Sequence, residues 1–348
     1  MKRRIFHIMM GRDGGTEQFF LRLTRGFHEA GLEQEFAVRP NQTWLDELAP
    51  RGRVHQGTYL RRDPLSLLRL WGLHRQIARF QPDVVMAWRA PVVRLIPQGP
   101  WSKIVRLGDF PFNIKYFKKL DGVVANTPDI VTHIRAQGWQ GRAEVISNFP
   151  PAKVTPELLT SEDDYKSADG TRILAYGRFV ESKGFDTLIK AMVFAPDATL
   201  TLLGDGPLRQ DLINLAASIG VSDRIAFLGW QSDLTDYLNK ADIMVLPSRD
   251  EPLGNVILEA WGADLPVVAT RSQGPTWFGA DGINMDLVDI DDAQAMGAAI
   301  ARLVREPARR VQLAEGGAKT LSSQFSQETV IASYMKLFDQ ISDEKGAL

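Results

Sequence analysis

The fold of this chain is decided by the stretch Arg172-Ile173-Leu174-Ala175-Tyr176-Gly177-Arg178-Phe179-Val180-Glu181-Ser182-Lys183-Gly184. A short apolar run bounded by glycine and followed by a helical window is typical of a buried parallel strand leading into a helix. Gly177 lacks a Cβ and lets the backbone approach a ligand closely. Arg178 and Lys183 are suited to bind phosphate, and a helix beginning at Lys183-Gly184 would add its N-terminal dipole. The stretch therefore predicts a βα unit whose loop holds a diphosphate.

The same alternation of strand-length apolar runs and amphipathic helical windows continues along the whole chain. In the first half we expect strands at 5–10, 35–39, 84–88, 103–107, 122–126 and 144–148, and helices at 15–30, 64–80, 112–119 and 128–137. In the second half we expect strands at 172–176, 199–203, 224–228, 243–247 and 266–269, and helices at 183–194, 207–219, 233–239, 254–263, 291–305, 307–322 and 326–342. This pattern predicts an α/β fold of two doubly wound, Rossmann-like domains facing a cleft at the carboxyl ends of their strands.

A polar segment without periodicity separates the two halves. We therefore predict a first domain at 1–150, a linker at 151–170 and a second domain at 171–325. The last helix, at 326–348, is expected to pack back toward the first domain.

Composition and charge limit the function. The 348 residues include no cysteine, which excludes disulfides and thiolate metal sites and fits a reducing compartment. The N-terminal apolar run is too short for a signal peptide, so a cytoplasmic protein is expected. Residues 1–150 hold 23 Lys and Arg against 13 Asp and Glu, whereas 151–348 hold 18 against 29. The basic half suggests an anionic partner, although solvated charged faces would explain it as well.

A second motif, Glu251-Pro252-Leu253-Gly254-Asn255-Val256-Ile257-Leu258-Glu259, brackets a predicted helix start with two carboxylates. The backbone N–H groups of Gly254, Asn255 and Val256 should point out of the helix start, where they would stabilise an anion. Carboxylates suit the hydroxyls of a sugar or ribose. Glu251 precedes the helix and Glu259 lies about a turn and a half inside it, so the two need not share a face.

Two further glycine-containing turns follow predicted strands, Gly204-Asp205-Gly206-Pro207 and Phe227-Leu228-Gly229-Trp230. Both leave room for a nucleoside beside the backbone. Trp230 is a candidate for stacking on a base, but packing of this side chain into the protein is the favoured reading.

Together these elements resemble, over about 172–305, the nucleotide-binding half of the retaining GT-B glycosyltransferases of family 4, the glycosyl transferases group 1 family. The resemblance implies that Arg178 and Lys183 hold the diphosphate of a UDP-, GDP- or ADP-sugar, Glu259 the ribose and Glu251 the donor sugar. Arg178, Lys183 and Glu251 are then the catalytic candidates, and no metal or separate cofactor is implied. The remaining donor-site candidates are backbone or neighbouring positions: Gly14, Gly15, Gly177, Gly204, Leu228, Trp230, Gly254, Asn255 and Val256.

On the acceptor side, Gly14-Gly15-Thr16-Glu17 resembles the Gly-Gly-x-Glu helix start of many family-4 enzymes, and its helix should bury Phe19, Phe20, Leu23 and Phe27. Many relatives carry a histidine after a middle strand, where this chain has Val105-Arg106-Leu107-Gly108-Asp109-Phe110. Asp109 is the candidate substitute, and Glu17 and Asp109 are the acceptor-side candidates.

The segments 107–119 and 146–149 are similar to a bacterial subgroup that builds lipopolysaccharide core and other surface glycans. This similarity implies a lipid-linked or oligosaccharide acceptor. Two segments interleave cations with aromatic rings: Lys115, Tyr116, Phe117, Lys118 and Lys119, and Arg61, Arg62, Arg69, Trp71, Arg75 and Arg79. Such faces suit an anionic inner-membrane surface, but a basic helix packed at a domain edge is the alternative. No nucleic-acid partner is expected.

The leading hypothesis is thus a retaining, metal-independent hexosyltransferase. A GT-B-fold sugar-nucleotide epimerase and a non-catalytic nucleotide-sugar-binding protein remain open. A dinucleotide-dependent oxidoreductase is disfavoured, because no G-x-G-x-x-G follows the first strand of either domain.

Overall fold

The structure is a computed structural model that describes residues 2–11, 14–61, 63–151 and 170–346. The chain forms two compact units, Met1–Phe149 with Gln327–Leu348, and Pro150–Ser326. The predicted linker at 151–170 lies, except for its two end residues, outside the described residues.

The first unit contains a parallel sheet of seven strands in the order β3-β2-β1-β4-β5-β6-β7. Its strands are β1 Arg4–Met9, β2 Glu33–Val38, β3 Gly52–Gln56, β4 Val84–Trp88, β5 Ser102–Leu107, β6 Gly122–Ala125 and β7 Ala143–Val145. Its first helices are α1 Gly15–Glu29, α2 Leu45–Leu48, α3 Ser66–Phe80 and α4 Pro128–Ala136. Every residue of β4 is buried, because helices cover both faces of a parallel sheet.

The second unit contains a parallel sheet of six strands in the order β10-β9-β8-β11-β12-β13. The strands are β8 Thr171–Tyr176, β9 Ala198–Leu203, β10 Ile225–Gly229, β11 Ile243–Leu246, β12 Val267–Thr270 and β13 Asp286–Val288. The helices are α5 Phe185–Ala191, α6 Arg209–Ser218, α7 Thr235–Lys240, α8 Asn255–Gly262, α9 Gln273–Phe278, α10 Ala293–Arg305 and α11 Pro307–Gln324. The strand order reverses between β8 and β11, and ligands of open α/β sheets bind at such a switch point.

The last helix, α12 Gln327–Gly346, belongs to the first unit. It buries Tyr334 and Phe338, and the ring of Tyr334 lies 5.4 Å from that of Phe27 on α1. The chain thus returns to the first unit after completing the second.

Several sequence-based boundaries are wrong. The helix predicted at 112–119 is reduced to a 3₁₀ turn at Phe117–Lys119. Asn113 Oδ1 accepts a hydrogen bond from Lys115 N (3.4 Å), and such local bonds compete with helix formation. The helix predicted from 183 begins only at Phe185, because Gly184 takes a left-handed φ of 62°. The sequence reading also missed β3, β13 and the short helices α2 and α9.

Candidate active site

Glycines at the ends of β8, β9 and β10 allow the backbones of the three following loops to lie in contact with one another. Gly204 has φ 133°, and a Cβ there would lie 1.9 Å from the carbonyl oxygen of Gly177. Gly177 N donates to Leu203 O (3.0 Å), and Gly204 N donates to Gly229 O (2.7 Å). Gly204 is therefore required for the close approach of these backbones at the carboxyl edge of the sheet.

Backbone contacts also attach the loop of Lys183 to the loop that follows β11. A Cβ on Gly184 would lie 2.1 Å from Pro247 O. Ser182 O accepts hydrogen bonds from Arg249 N (2.8 Å) and Asp250 N (3.1 Å). These contacts bring together two sequence motifs that are far apart along the chain.

Lys183 and Glu251 form an ion pair where these two loops meet. Lys183 Nζ lies 2.6 Å from Glu251 Oε2, and the Glu251 side chain is only 12% exposed. The other carboxylate oxygen, Oε1, accepts from Gly254 N (3.1 Å), which caps helix α8 with φ 88°. Ser248 Oγ lies 3.4 Å from Oε2. The carboxylate of Glu251 thus contacts both the cation and the helix N-terminus that the sequence analysis assigned to a diphosphate.

Glu259 lies on α8 with different partners. Its Oε2 accepts a hydrogen bond from the hydroxyl of Tyr176, the last residue of β8, at 2.5 Å. The two carboxylates of the motif therefore serve separate positions. Tyr176 was missed by the sequence reading, in which it only ended a strand.

Arg178 and Trp230 both extend into solvent. The Arg178 side chain is exposed and forms no hydrogen bond or ion pair with any residue that the structure describes. Trp230 is 73% exposed, so the expectation that it packs into the protein is wrong. It directly follows β10, whose register with β9 shifts between Phe227 and Gly229. Leu228 is half-buried, and its carbonyl accepts from Gln231 Nε2 (3.0 Å).

Arg249 is a further organising residue that sequence reasoning missed. Its Nη2 lies 2.8 Å from Asp186, its Nε 2.6 Å from Asp291, and its Nη1 donates to Glu181 O at 2.7 Å. Burial opposes the ionisation of Asp186, but hydrogen bonds from Arg249 and Lys190 outweigh it and lower its pKa. Arg249 therefore holds the Lys183 loop in place. The sequence feature that could have identified Arg249 is its position as a cation in a strand-end loop rich in carboxylates.

The first unit holds the acceptor-side candidates Glu17 and Asp109 together with the donor-site candidates Gly14 and Gly15. Gly14 and Gly15 are exposed at the start of α1, whereas Glu17 is only 4% exposed. A Cβ on Gly11 would lie 1.6 Å from Glu17 Oε1, so this carboxylate packs directly against backbone. Asp109 is half-exposed and lies 3.2 Å from Arg89 Nη2.

Helix α1 was predicted to bury four apolar side chains, and all four are buried: Phe19, Phe20, Leu23 and Phe27. This prediction is confirmed. No group of three or more His, Asp or Glu side chains suited to a metal ion occurs in the described parts of the chain.

Solved glycosyltransferases share this architecture. A glycosyltransferase from Rickettsia africae ESF-5 matches with a TM-score of 0.82 over 98% of both chains, at 18% identity. Anabaena HepE in complex with UDP matches with a TM-score of 0.79 over 97% of this chain and 100% of its own, at 19% identity. The fold is the GT-B fold, with two Rossmann-like domains, as the sequence predicted.

Sequence comparisons identify the family. A model described as Glycosyl transferases group 1 matches residues 161–320. Two lipopolysaccharide core biosynthesis glycosyltransferases of Rhizobium meliloti (strain 1021) align over nearly the whole chain. LpsE is 39% identical over 96% of this chain and 98% of its own length, and LpsD is 37% identical over 97% and 98%. The chain belongs to the glycosyl transferases group 1 family and is a glycosyltransferase, which confirms the resemblance seen in its motifs.

Proposed function

We propose that this glycosyltransferase moves a hexose, with retention of configuration and without a metal, from a nucleoside-diphosphate sugar to a lipid-linked or oligosaccharide acceptor of lipopolysaccharide synthesis. The relatives LpsD and LpsE support the lipopolysaccharide acceptor. HepE, described with UDP and with UDP-glucose, supports a uridine donor. The observation that carries the proposal is the convergence of Lys183, Glu251 and the start of α8 at one sheet edge.

In this proposal Lys183 and Arg178 bind the diphosphate and stabilise the charge that develops on it as it leaves. The positive charges of these two side chains compensate the charge of the diphosphate, which in other enzymes a metal ion would do. Glu259, oriented by Tyr176, accepts the ribose hydroxyls. The backbone of Gly177, Gly204 and the α8 start lies against the nucleotide.

Glu251 has two roles in this scheme. Without donor, its carboxylate neutralises Lys183 and caps α8. An incoming diphosphate replaces both contacts, which frees Glu251 to accept hydroxyls of the donor sugar.

Calorimetric titration with UDP-glucose, GDP-mannose and ADP-glucose tests the donor site. Lys183→Ala should weaken donor binding and lower transfer to rough-type lipopolysaccharide by orders of magnitude, whereas Lys319→Ala, which changes an exposed lysine of α11, should leave both unchanged. NMR of the product should show the donor's anomeric configuration, and activity should survive EDTA. Equal loss in both variants, or release of an epimerised nucleotide sugar without acceptor, would contradict the proposal.

We also propose that the enzyme docks on an anionic membrane surface through one face of α3. Leu67 and Leu68, at 76% and 65% exposure, and Trp71 at 61% form an apolar patch at the start of this helix. Arg75 lies beside it, with its guanidinium 5.4 Å from the Trp71 ring. Residues 64–82 contain no Asp or Glu, so the charge of this face complements anionic headgroups.

Within the described ranges no helix combines the length and apolar character needed to cross a membrane. The attachment proposed here, through exposed side chains of α3, is interfacial. Flotation with vesicles of phosphatidylglycerol and phosphatidylethanolamine should recover the wild type, and salt should weaken the binding. Leu67→Glu should remain in solution. Val311→Glu, which changes an exposed residue of α11, should float as the wild type does. Equal flotation with neutral vesicles would rule out the anionic surface.

A further inference from the structure

The first unit contains a buried arginine that lacks a carboxylate partner. Arg106, near the end of β5, is 1% exposed and forms no ion pair with any residue in the described part of the chain. Its guanidinium lies 4.4 Å from the Phe19 ring centroid and 5.6 Å from that of Trp88, and Nη2 donates to Asn148 Oδ1. Buried charges are normally paired, so this arrangement is costly unless another anion completes it.

Three polar groups converge on the space beside Gly108. A Cβ built on Gly108 would lie 3.0 Å from Arg106 Nη1, 3.5 Å from Thr16 Oγ1 and 3.9 Å from Asn126 Nδ2. Thr16 lies in the first turn of the fifteen-residue helix α1, where the helix dipole favours an anion. Gly108 and Thr16 are partly exposed, so this space is open to solvent.

The same strand ends carry buried polar atoms without a hydrogen-bond partner. These are Nε of Arg106, Oδ1 of Asn126, Oγ1 of Thr127 and Oγ of Ser147, all in residues less than 10% exposed. A native structure seldom leaves buried polar atoms unsatisfied without a reason. The unmatched guanidinium nitrogen of Arg106 suits an anionic group, and the three unmatched amide and hydroxyl oxygens suit sugar hydroxyls.

We propose that the space beside Gly108 binds an anionic group of the acceptor glycan, a sugar carboxylate or a sugar phosphate. The anion accepts hydrogen bonds from Arg106, Thr16 and Asn126, while sugar hydroxyls donate to the neighbouring oxygens. The proposal rests on the proposed function in taking the acceptor to be a glycan. It adds that the acceptor is acidic, and it makes Arg106 a specificity residue.

The local environment of Arg106 supports binding over a purely structural role. Desolvation lowers its pKa, and the phenol of Tyr334 on α12 beside it opposes this in part, so the side chain has a neutral neighbour but no carboxylate partner among the described residues; an arginine stays protonated at neutral pH. The nearby carboxylate of Asp109 is paired with Arg89 and is half-exposed. A structural arginine of this kind would ordinarily satisfy its own donors within the fold.

Binding to the full-length chain, without any donor, tests the proposal. The probes are methyl β-D-glucuronide, glucose 6-phosphate and the neutral methyl β-D-glucoside, titrated by calorimetry. Wild type should bind at least one of the two acidic sugars. Tighter binding of the glucuronide would identify a carboxylate as the preferred group, and tighter binding of glucose 6-phosphate would identify a phosphate. Arg106→Gln should weaken that binding at least tenfold, and Gly108→Ala should weaken it by filling the space. Arg53→Gln, which removes an exposed arginine from β3 in the same sheet, should leave the binding unchanged.

The outcomes separate this proposal from the proposed function. Arg106→Gln should still bind the nucleotide sugar, because the charged donor-site residues Arg178, Lys183 and Glu259 belong to the second unit. If Arg106→Gln fails to fold by circular dichroism, Gly108→Ala decides the question. Equal binding of the neutral glucoside, unchanged affinity in both variants, or no acidic-sugar binding by the wild type would overturn the acidic subsite. None of these results would affect donor binding.

Discussion

Acid should destabilise the first unit through His7, a fully buried residue in the middle of β1. Trp88 Nε1 donates to His7 Nδ1 at 3.3 Å, and His7 Nε2 lies 3.1 Å from Gln34 Oε1. Because an indole nitrogen only donates, Nδ1 must be the unprotonated nitrogen and Nε2 must carry the hydrogen. A second proton on Nδ1 would face the indole N–H. Desolvation lowers the pKa of His7 to about 3, and the bond to Gln34 opposes this only in part.

The size of the effect follows from this pKa. The unfolded chain has a histidine pKa near 6.5, so between pH 6.5 and 3 the unfolded state binds more protons than the folded state. The contribution of neutral His7 to stability is therefore complete above pH 6.5 and is lost as the pH falls toward 3. At about 1.4 kcal/mol per pH unit, the loss is about 2 kcal/mol at pH 5.

Urea unfolding at pH 8 and pH 5, followed by tryptophan fluorescence, measures this loss. His7→Gln keeps a donor and an acceptor but does not titrate. The difference in unfolding free energy between wild type and His7→Gln should narrow by about 2 kcal/mol from pH 8 to pH 5. His28→Gln, which replaces an exposed histidine of α1, should show the pH dependence of the wild type. Parallel pH profiles for wild type and His7→Gln would refute the reasoning.

Three further predictions concern the second unit. Glu251→Gln removes the carboxylate that neutralises Lys183, so calorimetry should show UDP binding several-fold more tightly, while sugar transfer should fall. Weaker UDP binding by this variant would contradict the prediction. Gly204→Ala should abolish UDP binding, because its Cβ would overlap Gly177 O. Gly220 has φ 72° and no atom within 4 Å of a Cβ at this position, so Gly220→Ala should lower the unfolding free energy by only about 1 kcal/mol. Asp286→Ala should lower the unfolding free energy by about 3 kcal/mol, since the buried carboxylate pairs with Arg302 (2.7 Å) and Arg309 (2.6 Å). The exposed Asp289→Ala is its control, and similar thermal melts for these two variants would count against the Asp286 prediction.

Central strands were the easiest elements to predict. The sequence placed β4 at 84–88, as in the structure, because a strand buried on both faces is a continuous apolar run. The edge strand β3 is half-exposed and mostly polar, so no such run marks it. The prediction of a helix at 112–119 failed because side-chain contacts to the local backbone are not visible in a hydrophobic pattern.

The candidate donor site was predictable as a set of loops but not as a set of contacts. Glycines and charged residues after apolar runs located Lys183, Glu251 and Glu259. The pairing of Lys183 with Glu251, the hydrogen bond from Tyr176 to Glu259 and the anchoring role of Arg249 required the structure.

The sequence by itself determined two parallel α/β domains and the family motifs of the second, because periodicity and strand-end glycines are local properties. The tertiary structure alone decided which strand ends meet. The fold brings Thr16 of α1, Arg106 of β5 and Asn126, which directly follows β6, around one point beside Gly108, although they are far apart along the chain. A hydrophobic pattern records which face of an element is buried. It does not record which neighbour covers that face, and so it gave no sign that a buried arginine would remain without a carboxylate.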